Sequence, residues 1–213
     1  MNKTFLHVGC GQKSKSQTTR GFIDDAWTEV RFDINPEAKP DIVGTMLDMA
    51  SVKSASVDAI FSSHNIEHLY PHEVLVALEE FRRVLTPEGF VVLTCPDLQS
   101  VCQPIAEGKL TEPLYQSPSG PIAPIDILFG HRASMQRGDL YMAHRCGFTE
   151  KVLSATFQQA GFHSIATVRR THPYYDLWLV ASMSDQTKET LTNLVQLHFP
   201  LVKSQSQKLQ ESN

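Results

Sequence analysis

Four short clusters of residues able to bind a small polar ligand follow apolar runs in the first third of the chain. Gly9 and Gly11 lack a Cβ atom, so the backbone can turn sharply and approach the sugar or amino-acid part of a ligand. Asp33 follows Gly11 by 22 residues, an interval at which an acidic side chain after a second strand accepts hydrogen bonds from ribose hydroxyls. The glycine pair alone is equally compatible with a plain strand-to-helix turn. The clusters are Gly9, Cys10 and Gly11; Asp33 and Ile34; Asp48 and Met49; and Ser63 and His64.

Histidines supply the candidates for proton transfer. His64, His68 and His144 are predicted as alternative general bases, because imidazole titrates near neutral pH. For His144 the alternative is a packing role. Residues 64–68 also spell the H-x-x-E-H pattern of inverted zinc proteases. That pattern requires a helix and a third ligand, whereas here it follows a strand and no third ligand is evident in the sequence. We therefore predict no metal.

The elements that must position these residues are short strands joined by helical or loop crossovers. This alternation predicts a parallel sheet covered by helices, in which ligands bind at the carboxyl ends of the strands. The predicted strands span residues 4–8, 29–34, 41–43, 56–63, 90–95, 165–168 and 177–183, and the predicted helices span residues 72–85, 149–161 and 185–201.

Residues 97–147 interrupt this alternation with five prolines and five glycines. Such a composition predicts an inserted loop or lid that shapes an acceptor pocket. This segment contains three arginines that form either an anion site or a set of solvated side chains, namely Arg132, Arg137 and Arg145. We predict a single domain over residues 1–201 and a polar, disordered tail over residues 202–213.

Composition limits the class of protein. The chain has 213 residues, 41% of them hydrophobic, with a formal charge of −4, which predicts one globular domain with a full core. Its apolar runs fall well short of the roughly 20 residues of a membrane span. The four cysteines form no C-x-x-C pair, so reduced thiols and a cytoplasmic location are expected. The net negative charge disfavours nucleic acid as a partner.

Several motifs resemble the class I S-adenosylmethionine-dependent methyltransferases, in particular the small type-11-like group. The first is FLHVGCG at residues 5–11, and the most specific are VDAIFSSHNIEHL at residues 57–69 and FRRVLTPEGF at residues 81–90. MAHRCGFT at residues 142–149 is similar to a late motif. A dinucleotide-binding fingerprint is absent, because Ser14 stands where its third glycine belongs.

The resemblance implies an α/β Rossmann-like methyltransferase fold. Its sheet has seven mostly parallel strands with helices on both faces, and the lid precedes the last helix and strands. The implied cofactor is S-adenosylmethionine. Its methionine part would lie against Gly9, Cys10, Gly11 and the neighbouring His7. Its ribose would lie against Asp33 and Ile34. Asp48 would accept from the adenine amino group beside Met49, and Ser63 or His64 would lie near the sulfonium.

The implied function is methyl transfer to a small-molecule or saccharide-like acceptor, with no nucleic acid and no membrane as partner. The chain departs from the family at His7, where an acid is common, and at Lys13, where a third glycine is common. These departures motivate an alternative, a non-catalytic module that kept the fold and the cofactor. The oligomeric state is left open, a homodimer being one alternative.

Overall fold

The computed structural model describes residues 2–200, in which nine strands form a large sheet and a separate hairpin. Strands β1 to β5 are parallel neighbours, and β9 runs antiparallel between β5 and β8. The larger sheet has seven strands in the order β3-β2-β1-β4-β5-β9-β8, which confirms the mostly parallel sheet predicted from the sequence. The strands are β1 (Lys3–Val8), β2 (Trp27–Asp33), β3 (Ile42–Val43), β4 (Val57–Ser63), β5 (Leu85–Pro96), β6 (Tyr115–Ser117), β7 (Gly120–Ile122), β8 (Ile165–Arg170) and β9 (Asp176–Ser182).

Helices cover both faces of this sheet, as predicted. On one face, Phe81 of the first helix and Phe157 of the fifth pack in the larger apolar cluster. On the other face, Leu194 of the last helix packs against a cluster that contains Phe5 and Phe22. No helix within residues 2–200 is long and apolar enough to cross a membrane. The helices are α1 (Val74–Val84), α2 (Leu98–Ala106), α3 (Pro124–Phe129), α4 (Arg132–Gln136), α5 (Glu150–Gln159) and α6 (Lys188–His198).

The connection between β1 and β2 contains one 3-10 turn, Lys15–Gln17, in place of an α-helix. Arg31 on β2 holds this connection by donating to the carbonyl oxygens of Gly11 (2.6 Å) and Lys13 (3.1 Å). It also donates to the carbonyl of Lys39 at 2.8 Å. One guanidinium group therefore fixes the loop after β1 against the loop after β2.

Residues 97–147 are more ordered than their proline and glycine content predicted. They form α2, α3, α4 and the β6–β7 hairpin, and Val101 and Ile127 bury a small apolar cluster with Tyr175. Pro124 is compatible with this order, since it occupies the first turn of α3, where its missing N–H costs no hydrogen bond, whereas Pro104 lies inside α2. Residue 201 and the predicted tail at residues 202–213 lie outside the described part of the chain.

The end of α6 contains a buried histidine that makes folding sensitive to acid. His198 is 2% exposed, and its Nδ1 atom lies 2.6 Å from the hydroxyl of Thr19. Burial lowers the pKa of His198 to about 4. The unfolded chain therefore binds this proton at higher pH than the folded chain, and stability falls as pH drops from about 6.5 towards 4.

We expect His198→Gln to lose less stability on acidification than the wild type. Between about pH 7.5 and about pH 5 the difference should be roughly 2 kcal/mol, because glutamine takes up no proton on unfolding. Urea denaturation of both proteins at the two pH values measures it. Equal losses in the two proteins would show that His198 does not carry this dependence.

Candidate active site

A cavity of about 470 Å³ opens at the carboxyl ends of β1, β2 and β4. Its volume lies within the usual range for small-molecule sites. It occupies the edge of the sheet where the strand order reverses direction, as expected for an open parallel sheet. The predicted cofactor-binding residues that line it are Gly9, Gly11, Asp33, Ile34, Ser63 and His64.

The glycine turn and Asp33 form one hydrogen-bonded unit. Gly9 and Gly11 have φ values of +64° and +51°, in the left-handed region that favours glycine. The Gly11 N–H donates to Oδ2 of Asp33 at 2.7 Å, and the Asn35 N–H donates to Oδ1 at 2.8 Å. These bonds fix the carboxylate at the cavity wall, and each oxygen keeps a further lone pair for a ligand hydroxyl.

Asn65 is a positioning residue that the sequence analysis did not identify. Its side-chain amide donates to the carbonyl oxygens of Val8 (3.0 Å) and Ser63 (3.1 Å), so it ties the end of β1 to the end of β4. It also lies directly against Gly9, where a Cβ atom would be 1.9 Å from its Oδ1. The glycine is therefore required by tertiary packing as well as by its own backbone angle.

Four of the predicted cofactor-binding residues lie away from the cavity. His7 is buried on the opposite face of β1 with Nδ1 2.7 Å from Oε1 of Glu29, and burial lowers its pKa. The Cys10 side chain is also buried, which raises the pKa of its thiol to about 11. Asp48 is exposed and accepts from the Ala50 N–H at 3.0 Å. Met49 is fully buried in the core.

The loop after β3 reaches the cavity a few residues earlier than predicted. The family resemblance implies Asp48 as the acceptor for the adenine amino group, but the part of this loop that lines the cavity is Gly44 and the three residues after it. The exposed fraction of Ile34 is 46%, so a large apolar side chain also faces this region. The loop residues that line the cavity are Thr45, Met46 and Leu47.

The inserted segment supplies the outer wall of the cavity through Asp139, Tyr141, Met142 and Arg145. Arg145 is held in place, because its guanidinium donates to the carbonyl of His68 at 2.7 Å and lies 4.9 Å from the Tyr70 ring centroid.

The three arginines of the segment are engaged in separate contacts. Arg145 makes the contacts just described, and Arg132 forms an ion pair with Asp126 at 2.7 Å. Arg137 donates to the hydroxyl of Ser134 at 3.3 Å. These contacts do not support the alternative of a shared anion site.

A second cavity of about 230 Å³ adjoins the first. It is lined by histidine and tyrosine side chains, including His131, Tyr115 and Tyr175. His64, His68 and Met142 line both cavities. The predicted catalytic histidines His64, His68 and His144 all line the second one, so the fold brings them together from β4 and from a segment more than 70 residues later.

The imidazole of His64 lies beside the carboxylate of Glu67. Its backbone φ is +56°, and its Nδ1 atom lies 3.3 Å from Oε1 of Glu67. Removal of water around His64 lowers the pKa of its imidazole, but the neighbouring Glu67 carboxylate has the larger effect in the opposite direction. The pKa of His64 is therefore raised. Glu67 is 1% exposed. Burial alone would raise the pKa of Glu67, but the imidazoles of His64, His68 and His144 hold it below its ordinary value.

The sequence around the first cavity matches a known family. Residues 6–93 match the family model described as "Methyltransferase domain". These 88 residues, 41% of the chain, are similar to the class I methyltransferase domains of the type-11 group. The match agrees with the family and the enzyme class that the motifs predicted. A search of curated proteins found no match to the sequence.

Solved structures share the methyltransferase fold at low sequence identity. A Burkholderia thailandensis 1,6-didemethyltoxoflavin-N1-methyltransferase with bound S-adenosylhomocysteine is 14% identical with a TM-score of 0.56, over 86% of this chain and 72% of that chain. A Methanosarcina mazei S-adenosylmethionine-dependent methyltransferase is 15% identical with a TM-score of 0.55, over 85% and 92%. One from Archaeoglobus fulgidus is 12% identical with a TM-score of 0.52, over 85% and 86%.

The residues of the methyltransferase site fit S-adenosylmethionine. Asp33 presents carboxylate oxygens, the acceptors that ribose hydroxyls require, and Ile34 and Met46 offer apolar surface to a purine ring. The turn at Gly9 and Gly11 leaves room for close approach of the backbone to the ligand. The lining therefore suits a nucleoside, with room beside the glycine turn for its substituent.

Proposed function

We propose that this methyltransferase binds S-adenosylmethionine in the larger cavity and transfers its methyl group to a small-molecule acceptor in the second cavity. The observation that carries this proposal is the shared wall: His64, His68 and Met142 line both cavities. A donor in one cavity and an acceptor in the other would meet at this wall. At about 230 Å³, the second cavity lies just below the usual size range of small-molecule pockets, so it suits a small acceptor such as a single ring.

Residues of the first cavity have separate roles in this proposal. Asp33 binds the ribose hydroxyls, and the turn at Gly9 and Gly11 accommodates the methionine part. Thr45, Met46 and Leu47, with Ile34, surround the adenine, in the place that the sequence assigned to Asp48 and Met49. Ser63 and His64 lie at the reacting end. When bound, S-adenosylmethionine supplies a methyl group on a sulfonium, and its transfer leaves a neutral thioether.

His64 is the general base that the geometry supports best. Its Nδ1 atom faces Glu67, which orients the ring, so Nε2 is available to the cavities. As the acceptor oxygen or nitrogen forms its bond to the methyl carbon and the carbon–sulfur bond breaks, the acceptor proton passes to His64. The walls of both cavities hold donor and acceptor close together and in line, and such proximity and orientation lower the activation barrier of the transfer.

The test is calorimetric titration of the full chain with S-adenosylmethionine and S-adenosylhomocysteine, followed by a screen of hydroxyl- and amine-bearing acceptors with a labelled methyl donor. We expect micromolar binding of both nucleosides and label transfer to at least one acceptor class. Binding without transfer to any acceptor, in the screen and in cell extract, would favour the non-catalytic alternative. Failure of both nucleosides to bind would overturn the proposal.

A further inference from the structure

Glu67, His68 and His144 form a compact cluster at the junction of the two cavities. Each offers a side-chain atom able to bind a metal, and these atoms all lie within 4.8 Å of one another. All three side chains line the second cavity. The sequence shows no third ligand and therefore predicts no metal, whereas the fold supplies a third ligand in His144.

The Glu67 carboxylate is buried with unused hydrogen-bonding capacity. Among the described residues, neither of its side-chain oxygens has a hydrogen-bond partner, although Oε1 lies 3.3 Å from Nδ1 of His64. Leaving a buried carboxylate without hydrogen bonds is costly, so a cation is the natural complement to it. The residue is also fixed, because its backbone carbonyl accepts from the N–H groups of Arg145 (2.8 Å) and Cys146 (3.2 Å).

The two histidines are oriented so that Nε2 carries the free lone pair. Nδ1 of His68 lies 3.1 Å from the carbonyl oxygen of Ala143, and Nδ1 of His144 lies 2.8 Å from that of Ile127. A carbonyl oxygen can only accept, so Nδ1 of each neutral ring donates and Nε2 is unprotonated. The ring centroids are 5.0 Å apart. Backbone carbonyls bound to the second ring nitrogen are the usual support of metal-binding histidines.

We propose that Glu67, His68 and His144 bind one divalent transition-metal ion, with zinc as the best match. Two imidazole nitrogens and one carboxylate are a ligand set that zinc takes when a further position is left open. That position faces the second cavity, where an oxygen or nitrogen atom of the acceptor would fill it. This last step rests on the proposed function, whereas metal binding itself does not.

The first test is metal binding by the full chain without a polyhistidine tag. After treatment with a chelator and dialysis, the protein is titrated with Zn²⁺ in competition with a chromophoric chelator. We expect one equivalent to bind with submicromolar Kd, and His144→Ala and Glu67→Gln each to weaken binding by roughly 100-fold or more, since even supporting residues are worth about 10- to 100-fold. His163→Ala, at an exposed histidine paired with Asp185, is the matched control and should bind zinc like the wild type.

Absence of zinc binding, or equal affinity in wild type and His144→Ala, would overturn the metal proposal. The neighbouring imidazoles of His64, His68 and His144 would then be what compensates the buried carboxylate. Circular dichroism checks that each variant is folded. Cobalt absorption gives a second readout, because a mixed imidazole and carboxylate site produces visible bands that His144→Ala should lose. Titration of the metal-free protein with S-adenosylhomocysteine separates the two proposals: binding of the nucleoside without binding of zinc contradicts only the metal site.

Discussion

Asp33→Ala is expected to raise the Kd for S-adenosylhomocysteine by roughly 100-fold, because hydrogen bonds to a charged acceptor are each worth about 1.5–3 kcal/mol. The carboxylate is 8% exposed and is held by the N–H groups of Gly11 and Asn35. Removing it takes away the proposed ribose contacts and leaves both N–H groups without their acceptor. Calorimetric titration of the purified variant measures the change.

Asp48→Ala is the matched control for Asp33→Ala. It removes the same group from a neighbouring strand end, but Asp48 is exposed and is not part of the cavity lining. We expect its Kd to stay within about twofold of the wild type, since surface changes away from a ligand have small effects. A large loss in Asp48→Ala together with unchanged affinity in Asp33→Ala would contradict the proposed placement of the nucleoside.

Gly9→Ala is expected to destabilise the protein by roughly 3 kcal/mol in the absence of any ligand. Alanine at φ +64° costs about 1–2 kcal/mol. The new Cβ atom would also lie 1.9 Å from Oδ1 of Asn65, so that side chain must move. Its hydrogen bonds to Val8 and Ser63, each worth about 1 kcal/mol, would then be lost. Urea denaturation measures the loss.

Gly11→Ala separates the backbone cost of an alanine at positive φ from the cost of the clash with Asn65. Gly11 has a similar backbone angle, φ +51°, but a Cβ atom there would meet no atom within 4 Å. Its stability loss should therefore be limited to the backbone term of about 1–2 kcal/mol. Equal losses at the two glycines would show that the contact with Asn65 contributes nothing.

The strand ends could be predicted from the sequence because the signals there are local. One apolar run stops at Gly9 and another stops at Asp33, and each indicates a strand and where it ends. The spacing between the two runs indicates the connection that joins the first strand to the second. The family motifs at residues 57–69 and 81–90 agree with the fourth and fifth strands, and residues 6–93 match the methyltransferase model. The cavity residues Gly9, Gly11, Asp33 and Ile34 follow from these signals alone.

The errors arose where a side chain's direction depends on packing. His7 was assigned to the site because it precedes the glycine turn, but alternate residues of β1 face opposite sides of the sheet, so His7 packs beside Phe61 while Val8 faces the cavity. Met49 stands near a strand end, yet it fills the core. Residues 97–147 looked irregular because ten of their 51 residues are proline or glycine, and their short helices are stabilised by contacts with distant residues such as Tyr175.

The sequence by itself determined the seven strands of the large sheet, the glycine turn, the place of Asp33 at the cavity and the resemblance to methyltransferases, because periodicity, spacing and motifs are properties of neighbouring residues. Only the tertiary structure decided which side chains meet. It placed His144 beside Glu67 and His68, closed the cavity with Tyr141 and Arg145, and set Asn65 against Gly9. The physical reason is that contacts between residues far apart in the chain depend on how the whole sheet and its inserted segment pack, which no local pattern records.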